Sequence, residues 1–486
     1  MVARRPSSTA IDDIDSHHGH GHHCNSSSNT SLSIFRFRWV LVVCIGLLVV
    51  FQLVSTSVTV AHGGGFALRD GVVSDIQHDL LHLNHLNDIC LHEHNSIISH
   101  TYNSPMLDRS RVVSKDAPLA DLLTELLRCP DIDIFLPNHL HGHGYCEDSM
   151  VYVKYLHTRA LPLWVFETEF TIDGKTQTYF DLCPHSAVLL LNHYWDGLPD
   201  KPTFPPNRTL VLVPNIEMYE LTADHYHRVD YVLAKTHDAY TRISSWFAKK
   251  NNNPRGTHVV YTQHTSSDPT SLARAQARLQ PTTFGTIRAK DFDHLTVFHA
   301  NGNSAHKNTP SVLDCWADRR DLPPLHVYSK TSGHEDRFDT VPPNVVFHVG
   351  EDLSPAEFGR RMAEASVILC PSAMEGFGHY INQARAAGAL VVTTDGAPMN
   401  EFVDETSGIL IDAPMRPQNG PVLMGAGTER EVNGDAICAA MDTLLALSPK
   451  EREERAEAGQ RRYFEQLRYF RTAMVDLRES LRRRHA

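Results

Sequence analysis

Glu375-Gly-Phe-Gly-His-Tyr-Ile-Asn-Gln383 follows an apolar run at 366–370 and leads into the helix-favouring Gln383-Ala-Arg-Ala-Ala387. The pattern reads as strand, turn, helix. Gly376 and Gly378 let backbone N–H groups come close to a ligand. The first turn of the following helix adds unpaired donors and a partial positive charge, which suit an anion. Glu375, at the mouth of the turn, can accept hydrogen bonds from hydroxyl groups. A phosphate at the helix start with a polyol beside the carboxylate describes a nucleotide sugar.

Working outward, apolar runs at 295–299, 325–328, 345–349, 367–370, 390–393 and 408–411 read as strands, alternating with helical patterns at 310–318, 355–363 and 382–387. Upstream, runs at 132–136, 163–166, 187–191, 209–213, 231–234 and 258–261 have the same texture, with a helix expected at 147–158. The fold class implied is α/β, with two Rossmann-like doubly wound lobes at 128–290 and 291–448 joined by a polar, proline-containing link near 265–292. Such lobes bind ligands beyond the C-terminal ends of their strands, in the crevice between them. After Pro449, the apolar residues Leu467, Phe470, Met474, Leu477 and Leu481 recur at helical steps, so 449–486 should be an amphipathic helix packed on a lobe.

The 486 residues exceed what one core can hold, and the 42% hydrophobic and 21% charged content is that of an ordinary folded chain. A net charge of −12 argues against a nucleic-acid partner, so anionic substrates must be held by local donors. No Asp, Glu, Lys or Arg lies between Arg38 and Arg69, and 39–61 is long and apolar enough for a transmembrane signal anchor. Arg4, Arg5, Arg36 and Arg38 precede it, which orients the chain as a single-pass type II membrane protein facing the Golgi or ER lumen. A cleavable signal peptide is the alternative. Residues 1–38 have the Ser-, Asn- and His-rich composition of a disordered cytosolic tail, and 62–127 reads as a His-rich stem. Of nine cysteines, Cys90, Cys129, Cys146, Cys183, Cys315, Cys370 and Cys438 fall on the luminal side, where one or two disulfides are expected; Cys129 and Cys146 are the nearest pair. Asn207-Arg-Thr209 is a glycosylation sequon, which would make the chain a glycoprotein.

Three blocks carry a family resemblance: Phe298-His-Ala-Asn-Gly302 with Lys307-Asn-Thr309; Pro371-Ser-Ala-Met-Glu-Gly-Phe-Gly378; and Gly388-Ala-Leu-Val-Val-Thr-Thr394 with Pro398-Met-Asn-Glu401. They resemble, in order, the C-terminal lobe of GT-B glycosyltransferases of the group 1, family 4-like retaining class. The resemblance implies a glycosyltransferase that moves a sugar from a nucleotide-sugar donor to an acceptor, here a glycan, protein or lipid, with no obligatory metal cofactor; the stretch at 39–61 would make it membrane-bound. It assigns catalytic roles to Glu375 and Lys307, and donor contacts to Gly302, Ser304, Gly376, Phe377, Gly378, Gln383, Asn400 and Glu401. Two departures stand out. Asn303 and Ser304 occupy the place of an arginine, and Gln383, eight positions after Glu375, replaces the second of a pair of acids. Glu401 could equally cap the helix after Pro398.

In the first lobe the Pro137–Tyr145 loop, with His139, His141, Gly142, His143 and Gly144, should face the cleft, as should Glu217 and Lys235 after later strands. Two competing readings remain: a noncatalytic sugar- or nucleotide-binding relative, and a membrane-tethered metal-binding protein. The second rests on 31 histidines, including His17-His-Gly-His-Gly-His-His23 and the helical series His78, His82 and His85 followed by His92 and His94. Compositional drift in a tail and stem is the favoured explanation of these histidines. Asp131-Ile-Asp133 has the spacing of a metal-holding acidic pair but sits at the start of a strand.

Overall fold

The computed structural model describes residues 70–102, 112–141, 144–302, 304–330, 332–351, 353–416 and 429–485. The expected tail at 1–38 and membrane anchor at 39–61 lie outside them, as do Gly142 and His143. Among the described residues no helix is long and apolar enough to cross a membrane. The chain divides at Val73, and both sheets lie in the unit Ser74–Ala486.

The first sheet contains β1 (Ser96–Ser99), β2 (Val113–Ser114), β3 (Ile132–Phe135), β4 (Arg159–Leu161), β7 (Ala187–Leu191), β8 (Leu210–Val213), β9 (Tyr231–Ala234) and β10 (His258–Tyr261), in the order β10-β9-β8-β7-β3-β4-β1-β2. The six strands from β10 to β4 are parallel, whereas β1 and β2 add antiparallel at the edge. A separate hairpin, β5 (Glu169–Ile172) and β6 (Lys175–Thr178), lies between β4 and β7 in sequence. Central strands such as Ala-Val-Leu-Leu-Leu in β7 are buried along their whole length, as a sheet covered on both faces requires.

The second sheet is parallel throughout: β11 (Val297–Gly302), β12 (Leu325–Ser329), β13 (Val345–Val349), β14 (Val367–Cys370), β15 (Leu390–Thr394) and β16 (Ile409–Ile411), in the order β13-β12-β11-β14-β15-β16. Strand order reverses between β11 and β14, which opens a crevice beyond their C-terminal ends.

Sequence and structure part company in four places. The run at 163–166 forms a helix, Leu163–Glu167, entered from Pro162, and β4 supplies the strand instead. A short apolar run gives no period by which to separate a buried strand from a buried helical turn. Residues 96–127, expected as stem, supply β1, β2 and the helix Leu119–Leu126 to the first lobe. The helix Asp70–His92 buries Leu80, Leu83, Leu86 and Ile89 in the same core as Tyr152 and Phe470.

The disulfides are Cys90–Cys146, Cys129–Cys183 and Cys315–Cys438, with Cys370 free and buried. Cys129 and Cys146 cannot pair because β3 runs between them and carries them to opposite ends of a strand. Asp131 and Asp133, already set aside as a metal pair by their place at a strand start, are engaged by arginines. Asp133 is fully buried and accepts from Arg159 at 2.9 Å, and Asp131 faces Arg478 at 3.4 Å and Arg482 at 2.9 Å.

The link between the sheets contains the helix Pro269–Leu279, which packs so closely on Pro355–Glu364 that a Cβ at Gly359 would strike the Pro269 carbonyl. The C-terminal helix Pro449–His485 then straps both lobes. Ala456 lies in the core of the second lobe, and Gln460 donates to the Ala386 carbonyl. Further along, Tyr463, Leu467, Phe470, Met474, Leu477 and Leu481 are buried in the core of the first. Phe470, with no exposed surface, meets Tyr152, Tyr155 and His264 at ring distances of 5.5, 5.8 and 5.3 Å. Phe470→Ala should therefore cost about 3–5 kcal/mol in chemical unfolding, and a loss below about 1 kcal/mol would show that the strap contributes little.

Candidate functional site

Residues following the C-terminal ends of strands in both sheets converge on one cleft of about 390 Å³. The first lobe contributes Gly144, Asp148, Asn215, Glu217 and Lys235, and the second contributes Gly302, Ser304, Lys307, Lys330 and Glu375 through Tyr380. The turn at its centre is held by packing and by backbone conformation. Phe377 is buried against His264 and Phe402, and Gly378 takes a φ of +90° immediately before the helix His379–Ala386. A side chain at Gly378 would strain that conformation, and a Cβ at Gly376 would overlap the Glu217 carboxylate reaching across from the other lobe.

Glu375 and Lys307 meet through an intermediary. The Lys307 ammonium lies 3.2 Å from the centre of the Tyr380 ring, the Tyr380 hydroxyl is 2.5 Å from Ser372 Oγ, and Ser372 donates to Glu375 Oε1 at 2.5 Å. Burial lowers the Lys307 pKa, and Glu375 opposes that shift. The π face and the carboxylate keep a partly desolvated ammonium in place without a direct ion pair.

Beneath the cleft lies Asp148, in the first turn of the helix Tyr145–Tyr155. Lys235 Nζ lies 2.8 and 3.0 Å from its two oxygens, His264 Nε2 3.0 Å from Oδ1, and His379 Nε2 3.1 Å from Oδ1. His379 Nδ1 in turn lies in hydrogen-bond reach of the Ser266 hydroxyl at 2.8 Å. Burial alone would raise the Asp148 pKa, but Lys235 and the two imidazoles outweigh it and hold the carboxyl well below its usual range. Burial drives His264 the other way, to about 3, so it stays neutral. These three side chains could approach a cation, but the Lys235 ammonium already neutralises their carboxylate.

Glu217 differs from its neighbours. Burial pushes its carboxyl up to about 7, with Lys235 opposing and Glu375 and Asp148 reinforcing, and its Oε2 has no hydrogen-bond partner among the described residues.

Of the residues singled out in sequence, Glu375, Gly376, Phe377, Gly378, Lys307, Gly302, Ser304, Gly144, Glu217 and Lys235 line the cleft. Others do not. The Gln383 amide donates to Glu147 Oε1 at 3.2 Å, which ties the lobes together instead of facing a ligand. Asn400 donates to Asp395 at 2.9 Å. Glu401 caps a helix, though not the one after Pro398. Its two oxygens accept from the His237 and Asp238 amides at 2.7 Å each, at the start of His237–Phe247 in the other lobe.

His141 is buried against the Cys90 carbonyl and stacks on His94, and His139 meets the Tyr194 ring. The glycines around them were a cue to a cleft loop, but the apolar floor beside the Cys90–Cys146 bridge captured the imidazole. The competing reading of a metal face at His78, His82 and His85 finds no such group among the described residues. His78 is exposed, while His82 lies 2.9 Å from the Lys154 ammonium and is lowered to about 4 by burial and that charge. A second grouping, Cys90, His141 and Cys146, has both sulfurs committed to a disulfide.

Sequence reading missed Asp148, His264, Lys330, His379 and Tyr380, whereas Asn215 belongs to the Pro214–Glu217 segment expected at the cleft. His379 and Tyr380 sit inside the motif itself, and Lys330 follows a recognisable strand; Asp148 and His264 carry no local signal.

No protein-family model matches the chain, and comparison with curated proteins gives no match. Among solved structures, it is similar to a sucrose-phosphate synthase from Thermosynechococcus elongatus at 13% identity and a TM-score of 0.49, over 72% of this chain and 99% of that one. It is also similar to a glycosyltransferase from Rickettsia africae at 12% identity and a TM-score of 0.47, over 72% and 98% of the two chains. A third likeness is to the Anabaena protein HepE, solved with UDP and glucose, at 13% identity and a TM-score of 0.42, over 72% and 99%.

A carboxyl that keeps its proton to about pH 7 when folded, yet loses it near 4.5 when unfolded, weakens the fold as pH rises through that window. Glu217→Gln should therefore stabilise the protein by about 3 kcal/mol at pH 8 and leave it unchanged at pH 4. Denaturant titrations at the two pH values check this; equal shifts at both would refute the raised pKa.

Proposed function

We propose that the chain is a glycosyltransferase that takes a sugar from a nucleotide-sugar donor bound in the cleft and passes it to an acceptor hydroxyl. The observation that carries this reading is the meeting of Glu375, Lys307 and the Gly376-Phe377-Gly378 turn in one cleft between two doubly wound lobes. The donor diphosphate would lie over the start of His379–Ala386, where backbone donors and the helix dipole favour an anion, with Lys307 beside it. Glu375 would take hydroxyls of the transferred sugar. As the sugar–phosphate bond breaks, negative charge grows on the leaving diphosphate. A fixed ammonium and fixed amides stabilise that charge more than they stabilise the intact donor, and only this difference speeds the reaction.

The sequence resemblance further implies retention of configuration, with the leaving diphosphate accepting the proton of the attacking hydroxyl on the same face, and no obligatory metal. The cleft would face the lumen of the Golgi or ER on a type II anchor. The charge-free stretch at 39–61 and three disulfides, which form in oxidising compartments, support that location. Treatment of the expressed protein with an amidase that removes N-glycans should then increase its mobility through loss of a glycan at the exposed Asn207, and the Asn207→Gln variant should show no such shift.

Binding without turnover is the competing reading, favoured by Gln383 in place of an acid and by the absence of charge at Ser304. Hydrolysis of a panel of nucleotide sugars by the full-length protein separates the two without requiring the acceptor. Glu375→Ala and Lys307→Ala should each reduce turnover at least about 100-fold with unchanged unfolding profiles. Undiminished turnover in either variant would remove that residue from the mechanism, and binding with no turnover of any donor would establish the competing reading.

A further inference from the structure

The cleft contains three ammonium groups, and two of them are already engaged. Lys235 is 2% exposed and held by both Asp148 oxygens. Lys307 lies on the Tyr380 ring with the Glu375 charge close by. Lys330 is exposed and makes no hydrogen bond or ion pair with the described residues, although it lines the same cleft.

Its position follows from sheet register. Ser329, the last residue of β12, pairs with Gly302, the last residue of β11, so Lys330 leaves the sheet directly beside the turn that runs from Gly302 to Lys307. β12 is an interior strand between β11 and β13, and its C-terminal end opens onto the crevice where β11 and β14 diverge. The lining carboxyl groups are Asp148, Glu217 and Glu375. Asp148 is consumed by Lys235 and the imidazoles, and Glu375 offsets Lys307. Among the described residues, Lys330 therefore carries a positive charge in the cleft that no carboxylate pairs with.

We propose that Lys330 is the second cation of a diphosphate clamp, gripping from the β12 side the group that Lys307 grips from the β11 side. This rests on the nucleotide-sugar reading above and extends it by naming how the diphosphate is charge-matched. A nucleoside diphosphate group carries more than one negative charge at neutral pH, and a single lysine shared with a carboxylate cannot balance it. A long side chain on an exposed site can swing over the ligand once it binds, exchanging water for phosphate oxygens at low cost.

Isothermal titration of the full-length protein with inorganic pyrophosphate, UDP and GDP tests the clamp. Lys330→Ala should weaken pyrophosphate and whichever nucleoside diphosphate binds by about tenfold, and Lys330→Arg should restore most of the loss because the charge is kept. A thermal unfolding scan of each variant should be unchanged, since the side chain supports nothing in the fold. Undiminished binding in Lys330→Ala alongside lost binding in Lys307→Ala overturns the clamp and leaves the nucleotide-sugar reading standing. Failure of Lys330→Arg to recover affinity also overturns it. If the unaltered protein binds none of the three probes, the clamp and the reading both fall.

Discussion

A carboxylate with almost no access to water is costly unless donors surround it, and Asp148 finds its donors in three separate parts of the chain. Lys235 comes from the end of β9, His264 from the link between sheets, and His379 from the first residue of a helix in the second lobe. Withdrawing any of them would leave a buried charge under-solvated, a penalty of several kcal/mol. That penalty holds the lobes at the spacing found here. The same spacing brings Glu217 against Gly376 and sets the floor of the cleft.

Other polar contacts reinforce the closure. Glu147 accepts from Ser267 and Gln383, Glu401 caps a helix across the interface, and Gln466 from the C-terminal strap reaches His264 and Asn382. Arg385 is buried with no carboxylate partner among the described residues; its two terminal nitrogens donate to Asn382, Gln466 and the Phe402 carbonyl, while its Nε has no partner there. Burial brings its pKa down to about 9. Gln383 and Glu401, which resemblance would give to a ligand, are thus used to hold lobe to lobe. A neutral amide at Gln383 suits that task, since it can donate to Glu147, which a second carboxylate could do only by keeping its proton.

The strap crosses both lobes, whereas each of the three disulfides lies within one of them. Cys90–Cys146 ties the helix Asp70–His92 to the helix that bears Asp148, so the segment before β1 becomes part of the core rather than a spacer. Long-range bridges of this kind constrain the unfolded chain most when the loop is long, as in Cys315–Cys438 with 123 residues of separation.

What the amino-acid order determined by itself was local: Glu375 through Gly378 between a strand and a helix, Lys307 after Gly302, and the apolar runs of the two parallel sheets. Period, glycine placement and helix-start chemistry act over a few residues, so they are readable in one dimension. The partners of those residues were decided only in three dimensions. Asp148 and His264 lie 116 positions apart and carry no mutual pattern, yet His264 Nε2 comes within 3.0 Å of the Asp148 carboxylate in the folded chain. Whether a histidine faces a cleft or a disulfide, as at His141, depends on which surface offers the cheaper desolvation. Which lysine stays uncommitted, as at Lys330, depends on where every other charge has already found its partner.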